Sequence, residues 1–295
     1  DKGNYGVEYV LRDVLEGRDG KARRQRIARG FYGRVVGGDN SEPEDGLDVV
    51  TTLDLEMQDV ADRALRRQLE AQNALWGTAL VMEVATGDLL AMANLSRTKS
   101  GAYAEVKNHA LSSRMEPGST FKLAALLALV DDAGMSLDET FDTGNGARVK
   151  VGRTTVQDSH GLPPLNLKDA VAHSSNVFFA RAVYETYKDD PERYVDYLRH
   201  LHLDRTVGLE EFGAVAPIFP APGMKIWYPD VSIVNMGYGY AIELTPLHTL
   251  TLYNAVANDG CMVAPRLVRE IRRGGEVVER PERRVLVDKI CSSSA

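Results

Sequence analysis

Apolar positions along the chain fall into helically spaced stripes and short unbroken runs, separated by turn residues. Between Glu8 and Glu16, Val10, Leu11, Val14 and Leu15 share one helical stripe that ends at Gly17, which predicts a short surface helix. Residues 20–46 are rich in Arg, Gly, Asp and Glu, with turn signals at Gly37-Gly38 and Ser41-Glu42-Pro43, and read as extended pieces and a linker with a boundary near Gly46. Leu47 to Thr52 is strand-like. Asp54 then caps a helix running to about Gln72, whose buried face is expected at Val60, Ala61, Ala64, Leu65 and Leu69. Two apolar runs, Thr78 to Val84 and Leu89 to Ala93, flank Ala85-Thr86-Gly87-Asp88 as a hairpin would. Leu123 to Val130 is a continuous apolar helix. Phe141 to Pro164 reads as loops and short strands, and a helical pattern resumes from Leu165 toward Ser174. Near the end, Thr245-Pro246 opens a helix containing Leu250, Leu252, Ala255 and Val256 that Gly260 closes, and Arg273-Gly274-Gly275 turns a last hairpin. Through Ala93 the pattern is a sheet edge with a helix beside it.

Composition narrows the class. With 295 residues, 44% hydrophobic and 26% charged, the chain is an ordinary globular protein able to bury a full core. Net charge is −7, and apart from Lys21, Arg23, Arg24 and Arg26 the basic residues are scattered, so nucleic acid is not an expected partner. Cys261 and Cys291 have neither zinc nor redox spacing, and the longest apolar run is far short of the roughly 20 residues that span a bilayer. The opening, Asp1-Lys2-Gly3-Asn4, carries no apolar leader and reads as the inside of a longer polypeptide.

Chemistry enters with a serine and a lysine three positions apart. On a helix such a pair shares a face, so the amine can take the hydroxyl proton. The spacing alone is weak, since about one chance occurrence is expected in a chain of this composition. Ser96-Arg97-Thr98-Lys99 has it too, but no helix holds that pair. Ser119-Thr120-Phe121-Lys122 follows the turn Glu116-Pro117-Gly118 and opens the apolar helix, where backbone N–H groups favour a developing oxyanion. Spacing and context leave two readings level: a nucleophile with its base, or a helix cap with a lysine reaching solvent.

The segment from Glu116 to Lys122 resembles the nucleophile motif of penicillin-binding proteins. Ser174-Ser175-Asn176 resembles the Ser-x-Asn motif of the same family in order and approximate spacing. Thr52-Leu53-Asp54 with Gln58, the hairpin from Val81 to Ala93, Phe141-Asp142-Thr143-Gly144, Asp158-Ser159-His160, and Gly237-Tyr238-Gly239 through Thr245-Pro246-Leu247 are similar to landmarks of the monofunctional, class B branch. The Gly-Tyr-Gly-Tyr run at Gly237 to Tyr240 looks closer to division-type members.

The resemblance implies an α+β transpeptidase fold shared with serine β-lactamases, a sheet flanked by helices plus a helical subdomain. Residues 1–45 would be the remnant of an N-terminal pedestal, and 46–295 a transpeptidase domain lacking its C-terminal part. The family's third motif, Lys-Thr-Gly or Lys-Ser-Gly on a sheet-edge strand, is read as missing, with no such triplet anywhere in the chain, since Lys289 leads into Ile290-Cys291 and Arg273-Gly274-Gly275 comes too early; it is expected beyond Ala295, which would leave the site within this chain one oxyanion donor short and inactive by itself. Four residues would be catalytic. Ser119 would attack the penultimate D-Ala of a peptidoglycan stem peptide, Lys122 would accept its proton, Ser174 would relay a proton to the leaving amine, and Asn176 would hold Lys122 and the substrate amide. No cofactor or metal is implied. The implied partners are stem peptides, β-lactams and division-machinery proteins including a septal glycosyltransferase. The implied setting is the extracytoplasmic face of the bacterial inner membrane, reached through an N-terminal anchor. A serine β-lactamase or β-lactam sensor and a catalytically silent division scaffold are the alternatives. His200 and His202 read as surface positions, Asp158-Ser159-His160 as a loop rather than a triad, and Trp227, Tyr228, Tyr238 and Tyr240 as either groove or packing.

Overall fold

The computed structural model describes residues 6–21, 24–34 and 41–293; Arg23, the Gly37-Gly38 turn and the opening Asp1 to Asn4 lie outside the described residues. The chain divides into two compact units, one of residues 1–52 with 267–282 and one of 53–266 with 283–295.

In the first unit the expected single helix is two short ones, Val7–Val10 and Arg12–Leu15, divided where Leu11 leaves helical geometry, and neither buries a residue. With no core against that stripe, burial cannot hold the segment to one continuous helix. The strand Asp48–Thr51 pairs antiparallel with Val268–Arg273, which pairs in turn with Glu276–Glu279 across the Gly274-Gly275 turn. Arg24–Ala28 and Phe31–Arg34 form a separate antiparallel hairpin.

In the second unit the helix Leu55–Gln72 lies on a three-stranded antiparallel sheet of Trp76–Met82, Leu89–Arg97 and Tyr103–Ala104, with the longest strand central. Asp54 caps the helix by accepting from the Met57 N–H at 2.9 Å. Ala61 and Leu69 are buried and Leu65 packs beside them, but Val60 is 58% exposed and Ala64 is exposed too, which corrects the expected face. The reason is Gln58. Its amide donates to Met92 O at 3.2 Å and accepts from Met92 N at 2.7 Å, so a polar side chain occupies the sheet-facing row and turns Val60 and Ala64 aside.

The largest core of this unit forms around the helix Asn176–Tyr187, whose Val177, Phe178, Phe179, Ala180, Ala182, Val183 and Tyr187 are all fully buried. Burying each phenylalanine contributes about 1.5–3 kcal/mol relative to exposure. The Ser119 segment packs against this core as a 3-10 turn, Gly118–Phe121, that runs into the α-helix Lys122–Leu127 and then a π turn, Ala128–Asp132. Tyr187 closes the far end of that run, donating its hydroxyl to Ala128 O at 2.8 Å and Asp132 Oδ2 at 2.9 Å. The helices Leu167–Ala172, Pro191–His200 and Pro246–Ala257 complete this mixed α+β architecture.

Candidate active site

Backbone constraints fix the approach to Ser119. Gly118 adopts φ +56 and its N–H donates to Gly239 O at 2.9 Å. Gly239 adopts φ +90, and a Cβ there would lie 1.9 Å from Gly118 O, so these two backbones touch only because Gly239 carries no side chain. Glu116 Oε1 accepts from the Ala241 N–H at 3.0 Å, and Tyr253 donates its hydroxyl to Thr120 O at 3.1 Å. Ser119 is thereby presented, exposed, on the first turn, while Phe121 and Lys122 turn inward.

Opposite it, the corner between Leu167–Ala172 and Asn176–Tyr187 is built by Ser174-Ser175-Asn176. Ser174 adopts φ 52, a left-handed conformation uncommon outside glycine and asparagine that turns its carbonyl and hydroxyl to the same side. Ser175 Oγ caps the following helix by accepting from the Phe178 N–H at 3.0 Å.

Lys122 joins the two segments. It is only 5% exposed, and its Nζ lies 3.1 Å from Ser119 Oγ, 2.6 Å from Ser174 O, 3.1 Å from Ser174 Oγ and 2.7 Å from Asn176 Oδ1. The Phe179 ring sits 5.9 Å away. All four residues expected from sequence are brought together. Burial pulls the Lys122 pKa down to about 8, against the opposing attraction of the Asp158 carboxylate. The two short contacts go to acceptors only, and both can be served by a neutral amine with two protons. Its one lone pair is then left for either of the two hydroxyls at 3.1 Å, so the cage accommodates the base form of the lysine.

The sequence reading missed Asp158 as part of this site. Its carboxylate is buried and accepts from Ser175 Oγ at 2.8 Å, Asn176 N at 2.5 Å and Val177 N at 3.2 Å. A loop acid sixteen residues before Ser174 carries no local signal of that role; the pointer to it is the family landmark Asp158-Ser159-His160. Ser159 and His160 bond each other, Oγ to Nδ1 at 2.9 Å, while Asp158 faces the helix, so the three letters form no triad.

The competing serine, Ser96, lies on the strand Leu89–Arg97 with its hydroxyl 2.7 Å from His109 Nε2. A Lys-Ser-Gly triplet does occur, at Lys99-Ser100-Gly101, which corrects the reading that the chain holds none. It forms the exposed turn between Leu89–Arg97 and Tyr103–Ala104, ahead of the nucleophile motif rather than on a strand after Ser-x-Asn. His200 is exposed, and His202 bonds Thr206 O through Nε2 at 3.1 Å. Trp227 and Tyr238 pack against the core, whereas Tyr228 and Tyr240 are exposed. Among the described residues, no three His, Cys, Asp or Glu side chains gather as metal ligands would.

An α+β fold in which a serine and a buried lysine one turn apart face a Ser-x-Asn corner defines a protein of the penicillin-binding class. Comparison with known proteins agrees. The family described as the penicillin binding protein transpeptidase domain matches residues 77–293, and the chain belongs to it. A Neisseria meningitidis protein named Probable peptidoglycan D,D-transpeptidase PenA is 27% identical over 271 residues, covering 89% of this chain and 45% of that one. Penicillin-binding protein PbpB of Mycobacterium tuberculosis is 30% identical over 282 residues, covering 90% of this chain and 39% of that one. The crystal structure of penicillin binding protein 3 from Mycobacterium tuberculosis, complexed with aztreonam, superposes with a TM-score of 0.80 at 26% identity, covering 99% of this chain and 61% of that one. The class B resemblance stands, and this chain spans less than half the length of the two named relatives.

Proposed function

We propose that this domain carries out serine-type D,D-transpeptidation of peptidoglycan stem peptides and is acylated by β-lactams at Ser119. The observation that carries the reading is Lys122, buried and held 3.1 Å from Ser119 Oγ while Ser174 and Asn176 occupy its other side. Ser119 Oγ attacks the penultimate D-Ala carbonyl as its proton passes to the neutral Lys122 amine. The tetrahedral oxyanion takes the Ser119 N–H as one donor, and its collapse breaks the peptide bond. Ser174 hands a proton to the departing D-Ala amine and is resupplied from Lys122. Attack by the amine of a second stem peptide on the acyl-enzyme then forms the cross-link and frees Ser119.

The names of the relatives support a role in cell-wall synthesis, and the Gly237 to Tyr240 run supports the division branch. Action at the extracytoplasmic face of the inner membrane, beside a septal glycosyltransferase, follows from the same reading. No helix among the described residues is long and apolar enough to cross a membrane, so the anchor in this proposal is a segment other than those helices.

The test is intact-mass measurement after exposing the full-length natural polypeptide to penicillin. One stable adduct on Ser119, lost in Ser119→Ala, is the expected result. No adduct, or an adduct that survives Ser119→Ala, refutes the assignment. An adduct that hydrolyses within seconds points instead to a β-lactamase.

A further inference from the structure

The Asn176–Tyr187 helix already has a cap of its own in Ser175, which accepts from the Phe178 N–H. Asp158 reaches the same helix end from a different part of the chain and takes the two remaining first-turn donors, the N–H groups of Asn176 and Val177, together with the Ser175 hydroxyl. Asn176 is therefore held at both ends: its N–H lies 2.5 Å from Asp158 Oδ1, and its side-chain Oδ1 lies 2.7 Å from Lys122 Nζ. A buried carboxylate and a buried amine thus bond opposite ends of one residue.

We propose, resting on the transpeptidase reading, that Asp158 is a positioning residue for acylation: through the N–H groups of Asn176 and Val177 it sets the Ser174–Asn176 corner against Lys122, and it supplies the negative charge that acts on the buried amine. Two consequences separate this from a helix cap. A displaced corner slows acylation, since misplacement of about 1 Å in a catalytic arrangement costs about a hundredfold. Loss of the charge also removes an attraction that opposes burial, so Lys122 deprotonates at lower pH. The groups facing the amine are Ser119, Ser174 and Asn176, which are uncharged, the Phe179 ring, and Asp158 as the charged one named against it.

The experiment compares Asp158→Asn, Asp158→Glu and Ser175→Ala in the full-length polypeptide, following acylation by a fluorescent penicillin from pH 6 to 10. Asp158→Asn should lower the plateau rate about tenfold to a hundredfold, leave noncovalent penicillin affinity near wild type, and move the acid limb to lower pH. Ser175→Ala removes a hydrogen bond to the same carboxylate and a cap, so it should lower thermal stability while the limb stays where it is. Asp158→Glu, which restores the charge one methylene farther out, should return the limb to the wild-type pH. A limb unmoved in Asp158→Asn, with only thermal stability reduced, overturns the proposal and leaves the Ser119 assignment intact. Should Asp158→Asn not fold, Asp158→Glu decides: a plateau rate well below that of Ser175→Ala with the limb unmoved supports the proposal, and an equal rate overturns it. Absence of an adduct on the wild-type protein overturns the parent reading and this one with it.

Discussion

Replacing Lys122 with arginine separates two things the lysine supplies, a positive charge and a removable proton. The side chain is 5% exposed, and burial draws its pKa from 10.5 to about 8. At pH 7 a lysine at the ordinary value is neutral in about one molecule in 3000, whereas a value of about 8 gives about one in ten, a gain of about 300-fold in the base form. Arginine keeps donors toward Ser174 O and Asn176 Oδ1 but stays protonated, with under about one neutral molecule in 10⁵ at the same pH. Positioned general bases contribute about 10²–10⁴ in rate, so Lys122→Arg should slow acylation of Ser119 by that range at pH 7. Stopped-flow acylation measures it directly. Wild type should quicken about tenfold per pH unit below 8 and level off above, while the variant stays slow throughout. A variant within tenfold of wild type at pH 7, or a wild-type rate flat from pH 6 to 8, would falsify the base assignment.

Three further outcomes follow from the same geometry. The folded pKa of Lys122 lies below its unfolded value, so between about pH 8 and 10.5 the unfolded chain binds more protons and stability rises with pH; relative to Lys122→Met, wild type should gain up to about 3 kcal/mol across that window in urea melts. Gly239→Ala places a Cβ 1.9 Å from Gly118 O at φ +90, so it should cost more than about 2 kcal/mol and slow labelling of Ser119 well beyond what the stability loss explains. On the Leu55–Gln72 helix, Val60→Asp should change stability by less than about 0.5 kcal/mol because Val60 is exposed, while Leu69→Ala should cost about 2–5 kcal/mol; equal costs in thermal melts would contradict the described packing face.

The sequence by itself determined the elements whose signals are local. Asp54 at a helix start, the 85–88 turn and the 274–275 turn are read from short-range chemistry, and each stands where expected. The four residues Ser119, Lys122, Ser174 and Asn176 were legible because motif order survives linear reading. What the fold alone decided depends on contacts between residues far apart in the chain. Gln58 bonding the Met92 backbone chose which side of its helix faces the sheet, against a hydrophobic pattern that favoured Val60. Gly239 meeting Gly118 required two distant segments to approach closer than a side chain at Gly239 allows. Asp158 looked like a loop residue until burial placed its carboxylate under the Asn176 helix. Sequence spacing encodes which residues share a turn or a face; it does not encode which buried charge will act on a lysine 36 positions away, because desolvation and Coulomb attraction depend on burial and separation in three dimensions.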